Sequence, residues 1–120
     1  MKPYWIILSL LAGCASIAFQ PEPGGQPMLE EGIKSYKEGR YLEAVSDLRS
    51  ALDAGLSKND QVKAHKFLAF NYCVTRREML CREEFGKALA IDPEFELTQA
   101  EAGHPMWGSV FLSVKGKARP

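Results

Sequence analysis

The chain has little histidine and little cysteine, no surplus of charge of either sign, and no long apolar run. Two histidines leave scant material for imidazole chemistry. No Gly-x-Ser-x-Gly, His-Glu-x-x-His or phosphate-loop pattern occurs, so the familiar hydrolase, zinc-protease and nucleotide-binding chemistries have no motif to rest on. Lys and Arg number 15, as do Asp and Glu, and a chain without basic excess gives no support to nucleic-acid binding. The apolar stretch Trp5-Ile6-Ile7-Leu8-Ser9-Leu10-Leu11 is far shorter than the ~20 residues a membrane-spanning helix needs. Sustained strand alternation is missing too, which leaves an all-α reading. Hydrophobic residues at 46% and charged residues at 25% nevertheless describe an ordinary globular composition. The expectation is a small non-enzymatic domain with no cofactor, no metal and no small-molecule substrate.

What is present begins with an export layout. Lys2, the apolar stretch and the small residues Ala12 and Gly13 lead in order to Cys14. The run Leu11-Ala12-Gly13-Cys14 resembles the lipobox of bacterial lipoprotein signal peptides. That resemblance implies removal of residues 1–13 and attachment of diacylglyceryl and acyl lipid to Cys14, which would hold the chain to a membrane. An ordinary secretory signal with an incidental Cys14 is the alternative. Ala15, rather than Asp, implies delivery to the outer membrane in the enteric sorting pattern. Loss of Lys2 leaves 14 basic against 15 acidic residues, a mature chain near −1. Residues 14–27 then read as a tether, since Pro21-Glu22-Pro23-Gly24-Gly25-Gln26-Pro27 cannot hold a helix.

From Met28 the periodicity is helical. Leu29, Ile33 and Tyr36 share a face up to the breaker Gly39. Further helices are expected at about 41–54, 61–74 and 78–91. Tyr36-x2-Gly39-x-Tyr41-x2-Ala44-x3-Leu48-x2-Ala51-Leu52 returns as Leu68-Ala69-x2-Tyr72-x8-Cys81-x3-Phe85-x2-Ala88-Leu89-x3-Pro93. Superposing Tyr36 on Tyr72 demands a one-residue adjustment further on. The unit resembles the tetratricopeptide repeat, a helix–turn–helix of about 34 residues, although His65 stands where that family often has Trp. Two repeats leave terminal apolar faces to cover. Phe95, Leu97 and Ala100 continue a helical face, and a helix over 105–114 carrying Met106, Trp107, Val110 and Phe111 is the expected cap. The domain is thus placed at 28–114, with 115–120 a frayed polar tail.

Lipidation of Cys14 would leave Cys73 and Cys81 as a pair in an oxidising compartment, where disulfides persist. Near facing ends of one hairpin they can bridge if their Cα atoms come within ~7 Å; otherwise they are two small buried thiols. A metal site from Cys73, Cys81 and His104 has no recognised ligand spacing. His65 reads as a packing residue and His104, between Gly103 and Pro105, as a turn former. Repeats of the resembled kind bind peptide on the face made by their first helices. There Lys34, Lys37, Lys63 and Lys66 beside Phe70 would suit an acidic segment or a carboxylate. The alternatives are plain solvated lysines, or a contact made instead through Trp107 and Phe111.

A more particular resemblance rests on Ala64-His65-Lys66-Phe67-Leu68-Ala69-Phe70, on Cys81-Arg82-Glu83-Glu84-Phe85, and above all on Ala100-Glu101-Ala102-Gly103-His104-Pro105-Met106-Trp107-Gly108. These stretches look like the TssQ family, small repeat lipoproteins associated with bacterial type VI secretion. The resemblance implies an accessory scaffold with secretion-apparatus protein partners, held by its lipid at the periplasmic face of the outer membrane. Other readings stay open: a pilotin-like lipoprotein for a secretin or pilus component, an envelope enzyme or metal sensor using Cys73, Cys81 and His104, or a passive tether.

Overall fold

Gly, Pro and capping residues divide the chain into helices, and the computed structural model describes residues 24–118 of it. The expected signal peptide, Cys14 and the expected tether as far as residue 23 lie outside the described residues. The helices are α1 (Gln26–Lys37), α2 (Tyr41–Ala54), α3 (Lys58–Val74), α4 (Glu78–Ile91), α5 (Gln99–Ala102) and α6 (Gly108–Ala118). The all-α expectation holds. Among the described residues no helix is long and apolar enough to cross a membrane.

Helices α1 and α2 pack together, as do α3 and α4, and α3 also packs on α2. The turns of the two hairpins repeat at a spacing of 37 residues, Gly39 matching Arg76. Both residues take a left-handed backbone, φ 78° and 64°. Each ends its helix with the same pair of hydrogen bonds, Gly39 N to Tyr36 O and Arg40 N to Ser35 O, then Arg76 N to Cys73 O and Arg77 N to Tyr72 O. That is the Schellman closure, which satisfies otherwise orphaned carbonyls and normally recruits glycine. This spacing corrects the Tyr36–Tyr72 alignment. Tyr72 matches Ser35, Tyr36 matches Cys73, and no adjustment is needed between the copies.

The same register explains the buried faces. Ala44, Leu48 and Ala51 on α2 recur as Cys81, Phe85 and Ala88 on α4, all fully buried. Gly32 lets α1 approach α2: a Cβ there would lie 2.8 Å from the Leu48 side chain. Gly25 does likewise at the other end, donating to Gly55 O at 3.0 Å, and its Cβ would meet Ala51 O. The ordered domain therefore starts before residue 28, with Pro27 in the first turn of α1, where proline is well tolerated. Ser57 caps α3 by accepting from Asp60 N, so that helix starts earlier than expected.

The C-terminal segment departs furthest from expectation. Phe95 and Leu97 are half-buried but not helical, Ala100 is exposed, and only the short α5 forms before Pro105. Its start is a capping box: Glu101 N donates to Thr98 Oγ1 and Thr98 N to Glu101 Oε1. Helix α6 begins at Gly108, where a Cβ would sit 2.4 Å from Ala102 O, and it packs on α4. The frayed tail is corrected as well. Helix α6 continues to Ala118, and Lys115 is 7% exposed. Its ammonium donates to Phe95 O at 2.9 Å and pairs with Glu96, while its stem covers apolar surface.

Candidate functional site

A chain of aromatic rings links the first hairpin to the cap. Tyr36 meets Phe67 and Phe70, Phe70 stacks on Trp107 at 3.9 Å, and Phe85 meets Phe111 at 5.2 Å. Phe70, Trp107 and Phe111 are 2%, 6% and 2% exposed. None of the three is offered to a partner, which corrects their assignment as contact residues: they are core, because the C-terminal segment lies over α3 and α4. Trp107 is fixed further by its Nε1–H donating to Glu101 O at 2.8 Å and by stacking on His104 at 3.4 Å. His104 Nδ1 accepts from Met106 N, the turn role expected of it.

The basic face is divided in consequence. Lys34, Lys37 and Lys63 are exposed. Lys66 donates to Glu101 Oε2 at 2.9 Å and lies over the Phe67 ring at 4.9 Å. The acidic partner that this face suits is thus supplied at Lys66 by the chain's own Glu101. Burial alone would raise the Glu101 carboxyl, but its bonds from Lys66 and Thr98 outweigh that and hold it below the usual carboxylate range. Half-buried Tyr36 moves the other way, pushed up to about 12 by burial first and then by Tyr41 and Glu101.

Cys73 and Cys81 form a disulfide across the α3–α4 turn, with Cα atoms 5.3 Å apart. Their sulfurs are spent on each other, so the Cys73, Cys81 and His104 metal site falls away. Among the described residues no group of three or more His, Cys, Asp and Glu is placed to hold a metal. His65 is more than packing: Nδ1 is 2.6 Å from Glu84 Oε2, and Lys87 bonds the other oxygen. Burial pushes the Glu84 carboxyl up, yet those two partners together hold it below the usual range. This cluster borders a polar hollow of about 340 Å³ with Arg49 and Asp53.

The larger hollow escaped the sequence reading. An apolar cleft of about 480 Å³ opens between the Gly39 turn with the start of α2 and the end of α3. Tyr41, Val45 and Tyr72 form its walls, Leu42 and Arg77 its rim. Leu42 is 80% exposed. A large apolar side chain beside an unfilled apolar cleft is a sign of an interaction surface. One signal was available: Leu42 falls off the Ala44–Leu48–Ala51 stripe. The chain matches no known family, no curated protein and no solved structure.

Proposed function

We propose that this chain is a lipid-anchored protein-interaction module of the bacterial envelope. In this reading Cys14 carries diacylglyceryl and acyl lipid, residues 14–23 act as a tether, and the helical domain is an accessory scaffold of a type VI secretion system. The observation that carries it is the Cys73–Cys81 disulfide. Such bonds belong to oxidising compartments, and with three cysteines in all the pairing leaves Cys14 alone in the lipobox-like run.

The hairpins support the same reading. Small residues are buried in both hairpins, Gly32 close against Leu48 with Ala44 in the first and Ala69 and Cys81 in the second, as in the tetratricopeptide-like unit the sequence resembles. A stack of two hairpins offers limited surface and binds weakly by itself. Confinement to a membrane raises the local concentration of such a binder, so the lipid on Cys14 contributes to affinity as well as to address.

The test is affinity purification from detergent-solubilised envelopes, wild type against Cys14→Ser. Recovery of a secretion-apparatus protein with the wild type, reduced with Cys14→Ser, is the expected result. Recovery of a secretin in its place would favour the pilotin-like reading, and recovery of neither sinks the scaffold.

A further inference from the structure

We infer that the cleft between the first turn and the end of α3 is the partner-binding site, and that it takes an extended peptide segment carrying an acidic residue next to a large apolar one. This deepens the interaction-module reading and rests on it. Two independent features of the cleft specify that chemistry.

The first is shape and apolarity. Tyr41, Val45 and Tyr72 line a cleft whose volume of about 480 Å³ accepts one or two large side chains. Leu42 stands at its edge almost wholly exposed, placed to close over whatever enters. The second is charge. Arg40 is occupied by Glu38 and Glu43, whereas Arg76 and Arg77 have no carboxylate partner among the described residues. Arg77 borders the cleft and Arg76 is its neighbour in sequence, so unneutralised guanidinium lies beside an apolar hollow. Guanidinium binds carboxylate in a paired, oriented fashion that favours it in recognition.

An anionic lipid surface would also satisfy Leu42, Arg76 and Arg77. A flat surface cannot fill a hollow of about 480 Å³, whereas one or two side chains of a peptide can, and this favours peptide over membrane.

The basic lysine face is the competing location. It is less suited, because Phe70 is buried under Trp107 and Lys66 already holds Glu101.

The test uses the chain from residue 14 onward with Cys14→Ser and the disulfide intact. Fluorescein-labelled octapeptides with central Asp-Glu-Leu-Phe-Asp are titrated by anisotropy and by amide-shift mapping, beside versions with Lys for the acids or Ser for Leu-Phe. The acidic apolar peptide is expected to shift Tyr41, Leu42, Val45, Thr75 and Arg77. Leu42→Ser and Arg77→Glu should each weaken it at least tenfold, and Arg77→Glu should gain affinity for the lysine version. Both changes are at exposed positions; Val45→Trp, which fills the cleft from within, is the second way to abolish binding in a chain shown by circular dichroism to be folded. Shifts mapping to Lys34 and Lys37, no binding at millimolar peptide, concentration-dependent shifts without peptide, or a preference for anionic vesicles would each overturn the inference. If the envelope purification succeeds while the peptide misses the cleft, the scaffold stands and the cleft falls. If the peptide binds but no secretion protein is recovered, the cleft stands and the scaffold falls.

Discussion

Replacing Glu101 by alanine removes two side-chain bonds. The carboxylate closes the α5 capping box through Thr98 N at 3.0 Å and neutralises Lys66 at 2.9 Å. Loss of a capping interaction costs about 1 kcal/mol. The ion pair lies between the exposed and buried extremes, with side chains 15% and 20% accessible. Exposed pairs contribute ~0–1 kcal/mol, and breaking buried ones costs ~3–5 kcal/mol, so about 1–2 kcal/mol is the expected share here. Glu101→Ala should therefore cost about 2–3 kcal/mol, which lowers Tm by roughly 10–20 °C in a domain of this size. Glu101→Gln keeps an acceptor for the capping box and should cost only about 1 kcal/mol. Urea unfolding of wild type, Glu101→Gln, Lys66→Met and the double variant isolates the pair. A coupling near 1 kcal/mol is expected, and one below about 0.3 kcal/mol would refute the docking of the C-terminal segment through this contact. The pH dependence has a definite sign. The folded carboxyl is held below its ordinary value, so its stabilisation is complete above the unfolded value of ~4.3 and fades as pH falls through the folded one. The gap between wild type and Glu101→Gln should close on acidification.

Arg76→Gly should stabilise the domain by roughly 0.5–1 kcal/mol, because a left-handed backbone at φ 64° costs a non-glycine residue ~1–2 kcal/mol, offset in part by the unfolded-state freedom of glycine. Gly39→Ala, at the matching position of the first hairpin, should be destabilising, and chemical denaturation reads both. Two helical glycines should respond in opposite senses to alanine. Gly32→Ala drives a Cβ to 2.8 Å from Leu48 and should cost ~1–3 kcal/mol by overpacking. Gly86→Ala in α4 meets nothing within 4 Å and should gain roughly 0.5–1 kcal/mol. Reduction of Cys73–Cys81, separated by 8 residues, should lower stability by about 2.5 kcal/mol on the loop-entropy relation, seen as a lower urea midpoint with reductant present.

Local features were legible and long-range docking was not. Gly39 as a breaker and the Ala44–Leu48–Ala51 and Cys81–Phe85–Ala88 stripes follow directly from helical spacing. The one-residue slip between hairpins has a physical origin. Tyr36 and Tyr72 look alike in sequence, but Tyr36 is half-buried against Phe67 and Tyr72 is buried with Arg49 donating to its hydroxyl. Helical periodicity tolerates such a slip until the turns fix the register. Lys66 and Glu101 are 35 residues apart, and no local pattern announces that a lysine of α3 will meet an acid beyond α4. Without that contact Trp107 and Phe111 read as exposed anchors when they are core. Lys115 is hard to place from sequence for a related reason: it continues the Phe111 face by one turn, yet its charge marks it as tail.

The measurement that bears most directly on the anchored-module reading is the intact mass of the protein extracted from cell envelopes. The expected species starts at Cys14, carries diacylglyceryl and acyl groups there, and is two hydrogens lighter than its fully reduced form. An unmodified Cys14 or an uncleaved leader would contradict the anchor, and free thiols at Cys73 and Cys81 would remove the observation on which the envelope assignment rests.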